Sequence, residues 1–336
     1  MAPPELDQIF KKIKTLRVGV IGDFAVDLYF DLHKNTGEIS LETGQEVWWG
    51  SRPRTSLGGA GNVAQNLLAL GVESVKVFGA IGNDLYGREM LHLMQVLRAN
   101  TDGFRIQEEG WDTCVYTKPL RGTSEQNRID FGTDNRLSDD AYKGVLRSLK
   151  SQMAHLDVLI INQQFPAPLI TEERVARLNH LIALHPFVFV LADMRTFGLA
   201  LRGVTLKVNT EELARLLKVQ DHESWTSDDC TEYGKRLAEI IEGPVLITHG
   251  EDGMHYITQS TTHHSPAQKL LGDLDPVGAG DTAVAAFAAS AGAKIPIQEA
   301  LKLANLAAAV TVQKHHQTGT ATPQEITELA NKPLLV

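Results

Sequence analysis

The stretch DPVGAGDTAVAAFAASAGA, residues 275–293, decides how the fold of this chain is interpreted. A glycine turn opens there into an alanine-rich run, and because alanine is the strongest helix former, we expect a helix to begin at the turn. The small residues Gly278, Ala279 and Gly280 let backbone N–H groups at the helix start point at negative charge, which the helix dipole also attracts. Asp281 follows directly, placed to take a proton from a hydroxyl. The segment suits phosphoryl transfer to an alcohol.

An isolated GAGD has a second interpretation of equal weight, a glycine-capped turn whose aspartate only satisfies the helix N-terminus. A further stretch, SLGGAGNVAQNLLALGVESVKVFGAIGNDLYG at 56–87, changes that balance. It resembles the N-terminal signature of the ribokinase-like (PfkB) carbohydrate kinases, and residues 275–293 resemble the C-terminal signature of the same family. The resemblance implies that Asp281 is the catalytic base and that the amides of the GAG turn hold the transferred phosphate.

Composition limits the other functions that this chain could have. Forty-one acidic against thirty-two basic residues give a formal charge of -9, which disfavours nucleic acid and anionic membrane surfaces as partners. The two cysteines, Cys114 and Cys230, lie far apart and form no disulfide framework, which is typical of a reducing cytoplasm. No signal-peptide core and no run of about 18 apolar residues occurs, so neither secretion nor membrane insertion is expected.

Short apolar runs alternate with helical patterns along the whole chain. This alternation predicts an α/β fold, with a doubly wound, mostly parallel central sheet and helices on both faces. We interpret residues 1–336 as a single ribokinase-like kinase domain. Strands are predicted at 17–22, 75–80, 157–161, 187–192, 205–208 and 244–248, and helices at 61–70, 84–98, 138–153, 171–184, 210–217, 228–241, 279–292 and 297–314.

Two stretches, 29–57 and 103–132, interrupt this rhythm with β-forming, aromatic and turn residues. In the family that the signatures resemble, the corresponding segments form a small β-sheet lid over the sugar. Trp48 and Trp49 are adjacent, so that in a strand they face opposite sides and one needs a cover. A homodimer formed through the lid would supply that cover, and the alternative is a tryptophan pair half exposed on a lone lid.

The sugar is expected at the end of the first strand, where ligands of α/β sheets bind. Asp23 and Asp27 follow that strand and could each accept hydrogen bonds from sugar hydroxyls, although such a pair could also be a solvated face. Gly58, Gly59 and Asn62 would close the same pocket, since glycines let the backbone approach a ligand. The matching positions contact sugar in the family.

Three segments carry the expected nucleotide and magnesium contacts. In KVNTEEL, 207–213, Asn209 and Glu212 resemble the NxxE motif that organises Mg²⁺ and its waters around the ATP phosphates, although a plain helix cap would look the same. VLITHGEDGMHYI, 245–257, resembles a strand-turn-strand segment that borders the nucleotide in that family. The nucleotide-binding residues implied by these matches are Asn209, Thr248, Gly250, Gly253 and Asn305, the last beside adenine.

Many family members also bind a monovalent cation beside the GAG turn. The resemblance places such a K⁺ site at Asp275 and Val277, facing the segment KHHQTGTATP at 314–323. Pro276 and Gln317 depart from the family pattern there, so activation by K⁺ is left open.

The acidity of Asp281 can be argued from its place at a helix start. The helix N-terminus and a nearby cation both favour the charged carboxylate, so we expect the pKa of Asp281 to be lowered. An ionised acceptor suits a loose transition state, in which the hydroxyl proton leaves late.

Other chemistries find little support in the sequence. It contains no GxxxxGK[ST], and no GxGxxG follows a strand. The histidine pairs 263–264 and 315–316 lack zinc-ligand spacing and are interpreted as surface residues, and Cys114 and Cys230 as ordinary buried or half-buried thiols.

Within the family the chain is most similar, over about 17–330, to kinases of heptose 7-phosphate on the route to ADP-heptose. NQQFPAP at 162–168 and DMRT at 193–196 depart from that branch. The alternatives kept open are a kinase of a simple pentose or hexose and a catalytically impaired regulatory protein that binds sugar and nucleotide. A phosphorylated substrate needs cationic partners, for which the candidates are Lys118, Arg121, Arg128 and Arg195.

Overall fold

The structure, a computed structural model, describes residues 1, 3–33, 37–122, 124–220, 224–315 and 317–332. The strands in chain order are β1 (Arg17–Gly22), β2 (Phe24–Leu32), β3 (Gly50–Gly59), β4 (Ser74–Gly82), β5 (Asn100–Gln107), β6 (Cys114–Arg121), β7 (Ser124–Glu125), β8 (Ile129–Phe131), β9 (Val158–Gln163), β10 (Phe189–Met194), β11 (Thr205–Asn209), β12 (Val245–Thr248), β13 (Met254–Ile257) and β14 (Thr262–Ser265). The helices are α1 (Pro3–Lys14), α2 (Ala60–Ala69), α3 (Leu85–Val96), α4 (Asp139–Met153), α5 (Glu172–Ala183), α6 (Thr210–Leu217), α7 (Ser227–Ile241), α8 (Ala279–Gly292), α9 (Ile297–Thr311) and α10 (Pro323–Ala330).

Nine of the described strands form one large sheet, in the order β14-β13-β12-β11-β10-β9-β1-β4-β5. The pairs from β12 to β5 are all parallel, and β13 and β14 add an antiparallel edge. Because the parallel strands run in the same direction, their carboxyl ends meet at one edge, where ligands of such sheets bind. We call this the carboxyl edge.

Helices cover both faces of the large sheet. Alternate residues of β9 enter two different apolar cores: Val158 and Ile160 pack with α1, α2, α8 and α9, whereas Leu159 and Ile161 pack with α4, α5 and α7. All six residues of β9 are buried, as expected for a parallel strand between two helix layers. The predicted fold class, a doubly wound and mostly parallel sheet, is therefore confirmed.

A second, small sheet extends from the carboxyl edge. Its order is β3-β2-β6-β7, with β8 also paired to β6. Strand β2 follows β1 after the single residue Asp23, so the small sheet continues directly from the centre of the large one. This is the sheet that the sequence predicted as a lid, although residues 34–36 and 123 of the predicted segments lie outside the described residues.

The predicted bounds of the lid need correction at both segments. Residues 103–107 belong to β5, which pairs in parallel with β4 in the large sheet, so the second segment begins only at β6. The first segment begins earlier than 29, because β2 pairs with β3 from Phe24 onward. Polar residues dominate β5, an edge strand, and therefore gave no strand signal of their own.

No helix in the part of the chain that the structure describes combines the length and the apolar character needed to cross a membrane.

Candidate active site

The glycine turn forms as predicted and begins α8 at the carboxyl edge. Gly278 is the N-cap and has φ 80°, in the left-handed region that glycine adopts without strain. A Cβ at this position would lie 3.2 Å from Nδ2 of Asn62, so glycine also makes room for that amide. Ala279 and Gly280 then open the helix. The Ala279 N–H donates to the Pro276 carbonyl oxygen over 3.1 Å, so the Gly280 N–H and the helix dipole are what favour an anion there.

Asp281 lies in the first turn of α8 between two amide side chains. Nδ2 of Asn62 donates to its Oδ2 over 2.8 Å, and Nε2 of Gln164 donates to its Oδ1 over 3.3 Å. Burial raises the pKa of Asp281 to about 6, with the charge of Asp193 adding to the rise and Asn62, Lys207 and Gln164 opposing it. The expected lowering was therefore wrong in sign, because desolvation outweighs the donors around the carboxylate.

Asn62 is fixed by a chain of buried polar groups. Its Oδ1 accepts a hydrogen bond from Nδ2 of Asn66, whose Oδ1 in turn accepts from the Thr282 hydroxyl over 2.8 Å. Thr282 also bonds the Thr311 hydroxyl of α9. With its oxygen engaged in this way, the amide of Asn62 can present only its nitrogen to Asp281, so this residue positions the carboxylate.

A buried lysine that sequence reasoning did not assign lies below the glycine turn. Nζ of Lys207 on β11 is 3.3 Å from Asp193 on β10 and 3.9 Å from Glu212, and it approaches the Cβ position of Gly280 to 3.9 Å. Burial opposes the charge of Lys207, but the carboxylates of Asp193, Glu212 and Asp281 outweigh it and raise its pKa. The ammonium therefore stays charged beneath the anion-binding turn.

The segment that resembles NxxE forms a capping box. Oδ1 of Asn209 accepts from the Glu212 amide over 2.7 Å, and Oε2 of Glu212 accepts from the Asn209 amide over 2.8 Å. The plain helix cap that the sequence also allowed is thus what the structure shows. Both side chains are half-buried at the carboxyl edge, and Glu212 keeps its second carboxylate oxygen outside the capping box.

A cavity of about 440 Å³ lies beside the glycine turn. Four of the five predicted nucleotide residues line it, together with the first residues of α8: Thr248, Gly250, Gly253, Asn305, Ala279 and Gly280. Asn209 is not among the lining residues. Most of the remaining wall is apolar, as in pockets that enclose a flat ring.

Two of these lining residues also have structural roles. Nδ2 of Asn305 donates to the carbonyl oxygens of Ser265 and Pro266, which ties α9 to the end of β14. Gly253 has φ 95°, and a Cβ there would lie 2.1 Å from the Ser265 carbonyl oxygen, so only glycine fits.

Asp23 is buried and holds a loop. Its carboxylate accepts from the amides of Gln164 and Phe165 through Oδ2 and from that of Leu169 through Oδ1, at 2.8 to 3.0 Å. Burial is the main cause of its raised pKa of about 6. These bonds fix the segment after β9, including Gln164, beside Asp281.

Asp27 lies on β2, where one oxygen is paired and the other is not. Nζ of Lys118 contacts its Oδ2 at 3.0 Å and also bonds the Tyr29 hydroxyl. Within the described residues, Oδ1 of Asp27 is buried without a hydrogen-bond partner, and a Cβ on Gly58 would lie 2.9 Å from it. Gly58 therefore lets the backbone of β3 approach the Asp27 carboxylate closely, and Oδ1 remains an acceptor that needs a donor.

Gly59 and Asn162 border the same space. Gly59 has φ 56°, and a Cβ on it would lie 2.5 Å from the Asp23 carbonyl oxygen. Asn162, at the end of β9, is fully buried, and its side-chain amide finds no partner within the described residues. The loop NQQFPAP contains both Asn162 and Gln164, but nothing in its local pattern showed which side chains turn inward.

The predicted phosphate partners occupy different environments. Lys118 is buried against Asp27, and Arg121 stacks on the Trp48 ring at 5.6 Å. Arg128 pairs with Asp130 through two hydrogen bonds and lies 4.5 Å above the ring of Tyr116.

Arg128 and Arg195 lie close enough to influence the same phenol. Burial raises the pKa of Tyr116, and the positive charges of Arg195 and Arg128 both oppose that rise. Arg195 is exposed at the end of β10, so its guanidinium faces solvent near the small sheet.

The segment before the glycine turn is folded on itself. Oδ1 of Asp275 accepts from the Val277 amide over 3.0 Å, and the Asp275 amide donates to the Val312 carbonyl oxygen at the end of α9. The loop that follows α9 reaches the small sheet through a hydrogen bond between Thr318 and Ser56. Asp275 and Val277 thus lie beside the turn, and the monovalent-cation site expected there stays a prediction.

Comparison with curated proteins identifies relatives over most of the chain. It is 30% identical over 303 residues to the bifunctional protein HldE of Sulfurimonas denitrificans, covering 89% of this chain and 61% of that protein. It is 31% identical over 334 residues to that of Trichlorobacter lovleyi, covering 96% and 64%. The chain therefore spans less than two thirds of the length of these relatives.

Solved structures share the fold at low sequence identity. Escherichia coli phosphofructokinase-2 in complex with potassium superposes with a TM-score of 0.75 at 16% identity, covering 94% of this chain and 98% of that one. Arabidopsis thaliana ribokinase complexed with ribose and ATP gives 0.72 at 19%, covering 95% and 100%. The family model for pfkB family carbohydrate kinases matches residues 16–325. This chain accordingly belongs to the pfkB family of carbohydrate kinases.

Proposed function

We propose that this chain transfers the terminal phosphoryl group of ATP to a hydroxyl of a phosphorylated sugar, with Asp281 as the general base. The observation that carries the proposal is the position of Asp281 between two donor side chains and the cavity that the start of its own helix lines. On one side Asn62 and Gln164 contact its carboxylate. On the other side Ala279 and Gly280, at the start of the same helix, line the cavity of about 440 Å³.

The transfer needs a proton acceptor and a leaving group, which are the Asp281 carboxylate and ADP. The sugar hydroxyl gives its proton to the Asp281 carboxylate as its oxygen bonds to the terminal phosphorus, and the bond from that phosphorus to ADP breaks. The N–H of Gly280 and the ammonium of Lys207 lie where they stabilise charge on the transferred group. The turn is fixed before reaction, so little reorganisation is needed.

ATP would occupy the cavity, with its base toward Asn305 and its phosphates toward the glycine turn. Gly250 and Gly253 border the phosphate end, and Thr248 adds a hydroxyl. Mg²⁺, as the partner of ATP, neutralises phosphate charge and prefers oxygen ligands. Glu212 fits that preference through water, by the oxygen outside its capping box, and Asn209 fixes its orientation.

The sugar would lie between the small sheet and Asp281. The unpaired Oδ1 of Asp27 above Gly58 and the unpaired amide of Asn162 offer an acceptor and a donor to sugar hydroxyls. Asp23 contributes by holding the loop that carries Gln164. Adjacent hydroxyls on a sugar ring can satisfy such a combination of groups.

The substrate that we propose is heptose 7-phosphate. The existing phosphate would bind between Arg128 and Arg195, whose charges both reach Tyr116. The relatives named HldE support this branch of the family.

Three further features belong to the proposal. A monovalent cation, K⁺ in the first instance, would bind at Asp275 and Val277. The small sheets of two copies would pair into a homodimer and cover Trp48 and Trp49. The cytoplasm is the proposed compartment, because Cys114 and Cys230 are both free thiols.

The proposal is tested by ADP release from purified protein with Mg·ATP and a panel of heptose 7-phosphate, fructose 6-phosphate, fructose and ribose, each with Na⁺ or K⁺. We expect the highest kcat/KM with heptose 7-phosphate. An Arg195→Gln variant should lose that preference, because KM for the phosphorylated sugar should rise. Highest activity on an unphosphorylated sugar would overturn the substrate. Tight binding of ATP and sugar without turnover on the panel would instead favour a regulatory protein.

A further inference from the structure

A group of three potential soft-metal ligands lies behind the nucleotide cavity and takes no part in the proposed chemistry. Cys230 lies on α7, His249 directly after β12, and His255 on β13. Sγ of Cys230 is 3.5 Å from Nδ1 of His249, and one ligand atom from each of the three residues falls within 4.8 Å of the others. We call these residues the Cys-His-His cluster.

His255 is the member that most needs a partner. It is fully buried, and neither ring nitrogen has a hydrogen-bond partner within the described residues. A buried imidazole without partners is unfavourable unless something else binds it.

We propose that the Cys-His-His cluster is a binding site for a thiophilic divalent cation of the Zn²⁺ class. One thiolate and two imidazoles are a ligand set that zinc prefers over the hard cations that accompany ATP. Ligand atoms around tetrahedral zinc lie about 3.3–3.8 Å apart, so the Cys230–His249 pair already fits and the third ligand needs to move by about 1 Å. Three protein ligands leave the fourth position to water or to an exchanging group.

The surroundings supply the second layer of contacts that such sites use. Nε2 of His249 lies 3.5 Å from Oδ2 of Asp252, so its N–H can point to a carboxylate while Nδ1 faces the metal. The ring of His264 stacks on His255 with centroids 4.3 Å apart and bonds the Asp252 carbonyl oxygen through Nε2.

Binding of the cation replaces the proton on Sγ of Cys230 by a metal–sulfur bond. Cys230 is a free cysteine, whose sulfur carries a proton until a cation displaces it. The cation forms a bond to Sγ, and the proton on that sulfur passes to the buffer.

The position of the cluster links it to the cavity. His249 lies between Thr248 and Gly250, and Gly253 and Met254 precede His255, so four cavity-lining residues flank two of the ligands. A metal that fixes His249 against β13 would restrict this turn, and zinc and nucleotide would then alter each other's affinity by the same factor. The site itself does not depend on the proposed function.

The first experiment is a titration of the chelator-treated, full-length protein with Zn²⁺ against a chromophoric zinc chelator, and with Co²⁺ by absorbance. We expect one tight equivalent, and a thiolate-to-cobalt band that Cys230→Ser abolishes together with at least about a 100-fold loss of zinc affinity. Cys114→Ser and His263→Ala are the matched controls, since they remove the other thiol and a neighbouring histidine outside the cluster, and both should retain the band and the affinity.

X-ray absorption of the zinc-loaded wild-type protein gives a readout that no folding defect can disturb. We expect one sulfur at about 2.3 Å and two imidazole nitrogens at about 2.0 Å. The absence of a tight equivalent, a zinc shell without sulfur, or a cobalt band that survives in Cys230→Ser or is lost in Cys114→Ser would each overturn the proposal.

Discussion

Nδ2 of Asn62 lies 2.8 Å from Oδ2 of Asp281, although 219 positions separate the two residues in the sequence. This hydrogen bond joins the start of α2 to the start of α8, and so connects the two signature stretches at one point. Because Oδ1 of Asn62 already accepts from Asn66, the amide has a single orientation and the carboxylate is fixed. The pair therefore supplies the positioned carboxylate that the proposed function requires of a base.

Asp281→Asn tests the base directly. An amide cannot accept the hydroxyl proton, so we expect kcat to fall by at least about 100-fold, while nucleotide affinity measured by calorimetry stays within a factor of about two. Asp140→Asn is a suitable control, because that side chain is 97% exposed on α4. Turnover comparable to wild type in Asp281→Asn would contradict the assignment.

The raised pKa of Asp281 predicts an acid limb in the rate profile. Only the ionised carboxylate accepts a proton, and burial raises its pKa to about 6. With ATP as the varied substrate, kcat/KM should therefore fall by about tenfold between pH 7 and pH 5. ATP and a sugar phosphate also titrate near this range, so the residual rate of Asp281→Asn provides the baseline. If kcat/KM of Asp281→Asn falls by an equal factor, the titrating groups belong to the substrates.

Asn62→Ala tests whether the amide acts through Asp281. Its hydrogen bond lowers the pKa of Asp281, so its removal should move the acid limb to higher pH and reduce kcat/KM by the largest factor below pH 6. Part of the loss should be recovered as pH rises. A purely structural role for Asn62 would lower kcat without moving the limb, and the melting temperature of the variant would show how much stability is lost.

Local signals predicted much of the fold. The bounds of α6 and α8 match the predicted 210–217 and 279–292, because an asparagine cap starts the first helix and a glycine turn the second. By contrast, α10 was not predicted, although Thr322 and Glu325 form a capping box before it. That signal was available in TPQE and was not used.

The site was predictable only where a motif carried it. Asp281 and Asn62 belong to stretches that resemble family signatures, and the structure brings them together. Lys207 and Asp193 pair across neighbouring strands, β11 and β10, and no local pattern indicates which residues of two strands will face each other. The sign of the pKa shift of Asp281 was missed for a related reason, since burial is a property of the whole fold.

Gly278→Ala should separate backbone strain from damage to the site. The left-handed φ costs a residue with a Cβ about 1–2 kcal/mol, and the added atom would also lie 3.2 Å from Nδ2 of Asn62. Gly71→Ala is matched to it, with φ 94° but no heavy atom within 4 Å of the added Cβ, near the opposite end of α2 from Asn62. Both variants should lose stability in chemical denaturation, and only Gly278→Ala should lose turnover. Equal turnover in the two variants would show that the turn tolerates a side chain.

The small sheet carries an exposed apolar surface that predicts a dimer. Trp48 and Trp49 are 61% and 51% exposed, and Ile129 and Phe131 on β8 are 55% and 49% exposed. Exposed aromatic and apolar side chains of this size favour burial against a partner, and aromatic residues near the centre of an interface contribute most of its stability. We expect sedimentation equilibrium to give about twice the protomer mass of 36.8 kDa.

Replacing both tryptophans by serine should weaken this dimer by at least about 30-fold, the factor that corresponds to the loss of one strongly contributing interface residue. Phe187→Ser is the matched control, because Phe187 is 66% exposed and precedes β10, away from the small sheet. A monomeric wild-type protein at micromolar concentration would contradict a dimer altogether. If Phe187→Ser dissociates the dimer while the tryptophan variant stays dimeric, the interface lies elsewhere. The reason is that a polar substitution changes the association constant only on a surface that the partner covers.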